Sequence, residues 1–312
     1  MSSEKKKQSD NLFILILIFV ILGSFAFILN TKFAELNKII DTLSANEENL
    51  RAENQRLLIQ LEKNSFYNEI ILQNNMLNIP IEKKDAKLFY PKNNFVAAEK
   101  DFSNKTLANK NILYMNKIQN HGTDITFQYV SAEMDDIKNK AVIYYIEKLS
   151  NDICANHKTD YDKAYAIALW VSENICYNYD AANAGIDFDT ISLETTLALR
   201  RTTCAGYSNL FSALCEAQGI YCVNLRGCGN VGLCECDDWD KQPINHEWNA
   251  VYCKDTWYFV DTTWASNNSY SNGIEYFYDT INTQYLMMDF YTMSNDHRID
   301  ISDHRGFLDT YK

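Results

Sequence analysis

The feature that most limits how this chain can fold is a long apolar stretch close to its amino terminus. Residues 12–29 are large and apolar apart from Gly23, Ser24 and Ala26. A helix of this length crosses most of a hydrocarbon layer that is about 30 Å thick. The stretch therefore predicts one transmembrane helix over residues 11–30, and it excludes a chain that is globular throughout.

The charges on either side of this stretch predict its orientation. Residues 1–10 are polar and contain three consecutive lysines, whereas the charges that follow the stretch are mixed in sign. Because lysines are retained on the cytoplasmic side, we expect a cytoplasmic tail over residues 1–10 and the remaining domains outside the cell. The alternative is a cleavable signal peptide, with a cleavage site at Ser24-Phe25-Ala26. The apolar stretch continues past that site, which favours an uncleaved anchor in the cell membrane.

A heptad repeat follows over residues 31–65. Leucine recurs every seven residues from Leu36 to Leu57, and the other seam position is apolar except at Glu47 and Asn54. Leucine at d with a buried asparagine at a favours a parallel two-stranded coiled coil, and therefore a parallel homodimer. Glu47 argues against this pairing, because two like charges would face each other. The alternative is a solitary amphipathic stalk.

Charge and composition bound the rest of the chain. A net charge of −12 excludes a nucleic-acid-binding surface as the main function, because such a surface needs clustered basic residues. The 46% of apolar residues is enough for one sizeable core. We expect a connecting segment over residues 66–124 and an α+β domain over residues 125–312.

Hydrophobic periodicity predicts the elements that lead into this domain. We interpret Trp170 as a core residue, because aromatic side chains on an apolar helical face usually serve packing. For Tyr177 both packing and a role as an oxyanion donor remain open. The predicted elements are a strand at Ile125–Val130, helices at 135–154 and 161–175, and a strand at 220–225.

Residues 202–219 predict a helix with a cysteine in its first turn. Cys204 begins the apolar face of this helix, and Gly219 suits its end. The unpaired N–H groups and the dipole at a helix start favour thiolate over thiol. Alone, a cysteine at this position is more typical of packing, because free cysteines are often buried and inert. The residues downstream favour a nucleophile.

Residues 246–264 predict a β-hairpin that turns at Lys254-Asp255. We expect Cys253 to pair with Thr256 and Tyr252 with Trp257. Continued outward, this register pairs Trp248 with Asp261 and His246 with Thr263. His246 and Asp261 would then lie on one face, within hydrogen-bonding reach. Together with Cys204 they form a candidate triad: a thiol, an imidazole that takes its proton, and a carboxylate that orients the imidazole.

These motifs resemble those of the transglutaminase-like superfamily. They comprise Cys-Ala-Gly-Tyr opening a helix, His-x-Trp-Asn on a strand and Trp-Tyr-x-Val-Asp-x-Thr-Trp on its partner. The resemblance extends more loosely from about residue 125 to residue 300, through residues 160–180 and a downstream segment at 285–298. It implies a papain-like fold, with a catalytic helix packed on an antiparallel sheet. It also implies that Cys204, His246 and Asp261 are the catalytic residues.

The implied chemistry is amide cleavage through an acyl-thioester on Cys204, acting on a peptide or protein substrate. Water as acceptor makes the enzyme a peptidase or amidase, and we favour this outcome because water is abundant outside a cell. An amine as acceptor makes it a protein cross-linker. The alternative from another class is a non-catalytic scaffold or binding module at the cell surface. The backbone N–H of Cys204 is one oxyanion donor, and the second is not identified.

The other eight cysteines permit up to four disulfides in an oxidising compartment. Cys228, Cys234 and Cys236 lie together in a loop, where a zinc site is the alternative. Their spacing lacks paired C-x2-C knuckles, so we expect no metal and no cofactor. The same segment, residues 226–245, carries four acidic residues that either favour cationic substrates or form a solvated surface.

Overall fold

A computed structural model describes most of the chain. It covers residues 2–74, 108–109, 111–113, 115–116, 136–186, 191–229, 244–271, 274–277 and 280–300. The chain divides into two compact units, one ending at Asn54 and one beginning at Gln55. The strand predicted at Ile125–Val130 and the acidic residues of the 226–245 segment lie outside the described residues.

The first helix, α1 (Ser2–Asn74), runs through both the apolar stretch and the heptad repeat. Large apolar side chains from Phe19 to Leu29 are exposed, and so are the heptad leucines from Leu36 to Leu57. By length and composition this helix can cross a membrane, although a signal sequence satisfies the same test. The coiled coil remains a prediction.

The last turns of α1 belong to the core of the second unit. Phe66 and Tyr67 are buried, and the ring of Phe66 meets that of Tyr145 edge to face with centroids 5.5 Å apart. Lys63 Nζ lies 3.4 Å from Oε1 of the fully buried Glu194. The C-terminal turns of α1 are therefore packed against the domain. This packing stabilises the part of the helix that extends beyond the heptad repeat.

The second unit is α+β, as predicted. The two helices predicted at 135–154 and 161–175 are confirmed as α2 and α3. After α1, the elements are α2 (Asp136–Cys154), α3 (Asp160–Asn174), β1 (Cys176–Tyr177), α4 (Tyr179–Asn183), α5 (Leu193–Leu199), β2 (Arg201–Thr202), α6 (Cys204–Ala217), β3 (Cys222–Gly229), β4 (His246–Cys253), β5 (Thr256–Val260), α7 (Thr262–Ala265), β6 (Ser269–Ser271), β7 (Ile274–Tyr276), a 3-10 turn (Thr283–Tyr285), α8 (Phe290–Met293) and β8 (His297–Ile299).

Within the described residues, the main sheet is antiparallel with strand order β5-β4-β3-β8. Helix α6 packs on this sheet and against both α2 and α3, which buries it almost completely. Alternate side chains of the strands divide between two cores. Cys222 and Val251 join the core around α6, whereas Val223 and Ala250 join a second core that contains Trp257. The predicted packing of the cysteine-bearing helix on an antiparallel sheet is confirmed.

The β4–β5 hairpin confirms the predicted turn but corrects the outer register. Lys254 and Asp255 both have positive φ, of 51° and 59°, as a tight two-residue turn requires. The pairs Cys253–Thr256 and Tyr252–Trp257 form as expected.

The predicted pairs Trp248–Asp261 and His246–Thr263 are wrong, because β5 ends at Val260 opposite Asn249. Asp261 instead caps α7, and its Oδ1 accepts a hydrogen bond from the backbone N–H of Trp264 at 3.0 Å. An aspartate at a helix start satisfies an N–H group that would otherwise lack a partner, so the capping turn competes successfully with the strand.

Trp170 is partly buried and packs against the core, as predicted. Its ring also lies under the Arg200 guanidinium, whose central carbon is 5.1 Å from the ring centroid. Trp170 therefore contacts the apolar core and, through a cation–π contact, a charged side chain at the edge of that core.

Candidate active site

Cys204 is the first residue of α6 and is half-buried. It follows β2, where Thr202 pairs with Tyr177 of β1. Thr203 occupies the N-cap position, but its side chain makes no capping hydrogen bond. The first N–H groups of the helix are therefore not occupied by a capping side chain, and they can stabilise negative charge beside the cysteine sulfur.

The Ala-Gly-Tyr that follows the cysteine fits α6 tightly into the domain. A Cβ on Gly206 would lie 1.8 Å from Oγ1 of Thr202, so only glycine allows this approach of helix and strand. The buried hydroxyl of Tyr207 donates to the carbonyl oxygen of Ile175 at 2.6 Å. These contacts fix the first turn of α6, and with it the position of the sulfur.

A buried asparagine fastens α6 to the strand that carries His246. The Asn249 amide nitrogen lies 3.1 Å from the carbonyl oxygen of Ser208, 3.0 Å from Oγ of Ser212 and 2.9 Å from Oδ1 of Asn224. Ser208 Oγ in turn donates to the carbonyl oxygen of Trp248 at 3.1 Å. Because buried polar networks are costly to break, these bonds hold helix and strand in a single register.

The structure brings Cys204, His246 and Asp261 together. His246 Nε2 lies 2.7 Å from Oδ2 of Asp261, and both residues are buried. The Cys204 side chain lies beside the same imidazole, where it contributes to raising the pKa of His246. Because Nε2 already faces the carboxylate, Nδ1 is the ring nitrogen that remains for the sulfur. The three side chains therefore form a thiol–imidazole–carboxylate chain.

The charges in this chain favour the protonated imidazole. Burial lowers the pKa of His246, but the Asp261 carboxylate and the Cys204 side chain outweigh it and raise the pKa to about 10. Burial similarly raises the pKa of Asp261, yet His246 and His297 lower it further, so its pKa lies well below the ordinary value. A carboxylate and an imidazolium at this distance stabilise each other's charged forms.

Two tryptophans and a glycine shape the space around the imidazole. The indole rings of Trp264 and Trp248 lie nearly parallel to the His246 ring, with centroids 5.0 and 5.9 Å away and interplanar angles of 20°. A Cβ on Gly229 would lie 2.8 Å from Cζ2 of Trp264 and 3.1 Å from Cδ2 of His246. Glycine at this position therefore gives both rings the space they occupy.

We expect Gly229→Ala to displace His246 and to slow reactions of Cys204 by about a hundredfold, because sub-ångström placement governs such steps. The measurement is the rate of Cys204 alkylation, together with the melting temperature. Gly23→Ala is the matched control, since a Cβ at Gly23 has nothing within 4 Å. An unchanged rate in Gly229→Ala would contradict the assigned role of this space.

Sequence reasoning missed His297, which lies at the start of β8 and is fully buried. Its Nε2 lies 3.0 Å from the same Oδ2 of Asp261 that His246 contacts, and its Nδ1 lies 2.7 Å from Oδ1 of Asp296. The available signal was its place in the downstream segment at 285–298, which ends in Asp-His-Arg.

His246, Asp261 and His297 also have the composition of a metal site. Among the described residues they form the group whose ligand atoms could hold an ion, since these atoms lie within 4.8 Å of one another. The carboxylate oxygen, however, is 2.7 and 3.0 Å from the two imidazole nitrogens, which are hydrogen-bond distances. We therefore interpret the group as a hydrogen-bond network and assign no metal to it.

The described cysteines limit the disulfide pattern. Cys228 is disulfide-bonded, whereas five of the other seven cysteines are free thiols besides Cys204: Cys154, Cys176, Cys215, Cys222 and Cys253. The upper limit of four disulfides, which the count of cysteines permits, is therefore not reached. Four of these thiols are buried around α6 and act as small apolar side chains. Burial raises the pKa of Cys253 to about 12, which makes it unreactive.

A cleft of about 630 Å³ opens beside His246. Trp264, Thr263, Tyr177 and Tyr179 are among the residues that line it. Apart from His246, the described lining residues carry no formal charge: Tyr177, Tyr179, Ala182, Asn183, Gly229, Asn245, Thr263, Trp264, Asn267, Asn268, Asn282 and Tyr285. Their amides and hydroxyls both donate and accept hydrogen bonds, which suits an uncharged polar ligand.

Known proteins resemble the region that contains this site. Residues 147–262 match the family model of the transglutaminase-like superfamily. Kyphoscoliosis peptidase of Mus musculus is 29% identical over 121 residues, which is 39% of this chain and 18% of that protein. The Lim and transglutaminase domain protein ltd-1 of Caenorhabditis elegans is 28% identical over 125 residues, 38% of this chain and 16% of that protein.

A solved structure of a TGase is 16% identical and covers 46% of this chain and 37% of its own, with a TM-score of 0.35. The chain spans less than a fifth of the length of these two curated relatives. The family match includes Cys204, His246 and Asp261, and it ends before His297. Residues 147–262 therefore form a transglutaminase-like domain.

Proposed function

We propose that this protein is a cysteine-dependent amide hydrolase in which Cys204, His246 and Asp261 are the catalytic residues. The observation that carries the proposal is the His246–Asp261 contact of 2.7 Å, with the Cys204 side chain beside the same imidazole, where it helps to raise the pKa of His246. A nucleophile, a base and a group that orients the base are the parts that acyl transfer requires.

The reaction begins with the Cys204 thiolate, whose proton resides on His246. The sulfur attacks an amide carbonyl carbon, and the backbone N–H of Cys204 donates a hydrogen bond to the resulting oxyanion. His246 then protonates the leaving amine, and an acyl-thioester remains on the sulfur. Asp261 keeps the imidazole oriented and stabilises its positive charge throughout.

The second half of the reaction needs an acceptor. His246, now neutral, takes a proton from water as the water oxygen attacks the thioester carbonyl, and the acid product leaves with regeneration of the thiolate. An amine in place of water would give a cross-linked product. The uncharged polar lining of the cleft supports a peptide or protein segment as substrate, because backbone and side-chain amides complement the lining groups.

The test is to incubate the full-length chain, purified in detergent, with a peptide library and a primary amine, and to analyse the products by mass spectrometry. Hydrolysis predicts cleaved or deamidated peptides at Cys204-dependent rates. Mainly amine-tagged peptides would instead support a protein cross-linker. No product at all, with an intact fold, would support the third candidate, a scaffold or binding module.

We further propose that the domain is anchored by residues 11–30 and acts outside the cell, with residues 1–10 in the cytoplasm. The three lysines before the apolar stretch support this orientation. The disulfide at Cys228 supports an oxidising compartment. The exposed heptad leucines from Leu36 to Leu57 support a parallel homodimer through the stalk, because such a surface is normally covered.

A further inference from the structure

The imidazole of His297 lies between two carboxylates. Its Nε2 is 3.0 Å from Oδ2 of Asp261, and its Nδ1 is 2.7 Å from Oδ1 of Asp296. The ring is fully buried, so these carboxylates and the surrounding aromatic rings form its environment. Both ring nitrogens therefore have a carboxylate oxygen as hydrogen-bond partner.

An ionised carboxylate accepts hydrogen bonds and cannot donate them. A neutral imidazole has one N–H and one bare nitrogen, so it would leave one of these contacts without a proton. Asp296 is one-third exposed, and its other oxygen, Oδ2, accepts a hydrogen bond from the Tyr285 hydroxyl at 3.2 Å, as a carboxylate does. The two contacts are therefore satisfied together when the His297 ring carries both protons.

The position of His297 makes this charge relevant to the active site. Strand β8 pairs with β3 so that His297 lies opposite Gly229, the residue that leaves space for the His246 ring. The centroids of the two imidazoles are 5.7 Å apart, and both contact one oxygen of Asp261. The other ionisable residues close by in sequence, Arg298 and Asp300, are buried as well.

We propose that His297 is a positioning residue: a doubly protonated imidazole that bridges Asp261 and Asp296 and holds the Asp261 carboxylate in the orientation that serves His246. Charges then alternate along the row Asp296, His297, Asp261 and His246. The catalytic consequence rests on the proposed function, whereas the protonation of the ring does not.

The first test reads the ring directly. Full-length chain labelled with ¹⁵N-histidine is prepared in detergent, and ring nitrogens are observed by NMR. The chain has five histidines, so the signals lost in His297→Gln identify this residue. The proposal predicts that both ring nitrogens of His297 carry protons in the folded protein. A bare ring nitrogen on His297 would overturn it, whatever the activity of the protein.

The second test separates a charged bridge from a packing role. In His297→Gln the positive charge is lost, while an amide N–H can still reach Asp261. Loss of a nearby positive charge raises the pKa of the Cys204–His246 pair. The pH profile of Cys204 alkylation by iodoacetamide should move to higher pH by about one unit.

His157→Gln is the matched control, because His157 is exposed, and it should leave the profile in place. A lower melting temperature in His297→Gln with an unmoved profile would show a merely structural role and overturn the proposal. If Cys204 of the unsubstituted protein labels no faster than a denatured thiol, the proposed function fails, while the NMR result still decides the charge of His297.

Discussion

Replacing Cys204 with alanine is expected to lower amide cleavage and acyl transfer by at least about 10⁴-fold, because the proposed thioester forms on the sulfur of this residue. The fold should be retained, since the side chain is half-buried and alanine suits a helix. The measurement is kcat/KM on the best peptide from the library, with the melting temperature recorded in parallel.

Cys176→Ala is the matched control for this variant. Cys176 is also a half-buried free thiol, it lies in β1, and it should be dispensable for the reaction. Burial raises the pKa of its thiol, so it is a poor nucleophile. A Cys204→Ala protein that keeps more than a tenth of the activity would refute the assignment of the nucleophile.

Asp261→Asn is expected to lower kcat by about 10³- to 10⁴-fold, because an amide does not stabilise the imidazolium and can impose the wrong tautomer. Its effect on pH dependence has a definite sign. The negative charge of Asp261 raises the pKa of His246 to about 10, so its removal lowers that pKa toward the ordinary 6.5. The alkaline limb of kcat should therefore move to lower pH.

Asp289→Asn is the matched control, because Asp289 also caps a short helix and accepts from the Thr292 N–H at 2.8 Å. Asparagine is a good cap, so both variants should keep their helical turns. Only Asp261→Asn removes a charge that faces histidines. An alkaline limb that stays near pH 10 in Asp261→Asn would contradict the role given to the carboxylate.

The candidate triad was predictable because each of its residues sits in a local pattern. Cys204 begins an apolar helical stripe, and His246 lies on a hairpin strand whose turn residues, Lys254 and Asp255, are marked in the sequence. The approach of Asp261 was predicted from a strand register that does not form. Asp261 leaves β5 to cap α7, yet its other oxygen still reaches His246 at 2.7 Å.

His297 could not be predicted in the same way. It reaches Asp261 only because a three-residue strand, β8, adds to the edge of the sheet opposite the end of β3. Such a short strand carries too little periodicity to be placed from sequence. The role of Gly229 could not be predicted from the sequence either. Glycine is needed there because the rings of Trp264 and His246 approach it in space, and not because of its own backbone conformation.

The cysteines show a further limit of sequence reasoning. Their even number permits disulfides, but whether a thiol is paired depends on its neighbours in space. Cys215, Cys222 and Cys253 lie in the core around α6 as free thiols, where they serve as small apolar side chains.

The most direct measurement of the central claim is competitive alkylation of the full-length chain by iodoacetamide at pH 7, with each cysteine quantified by mass spectrometry. A cysteine that is mostly thiolate should react roughly 30-fold faster than an ordinary one, which is only a few per cent ionised. We predict this advantage for Cys204 over Cys176, and its loss in His246→Ala. Labelling of Cys204 no faster than in the denatured chain would contradict the account.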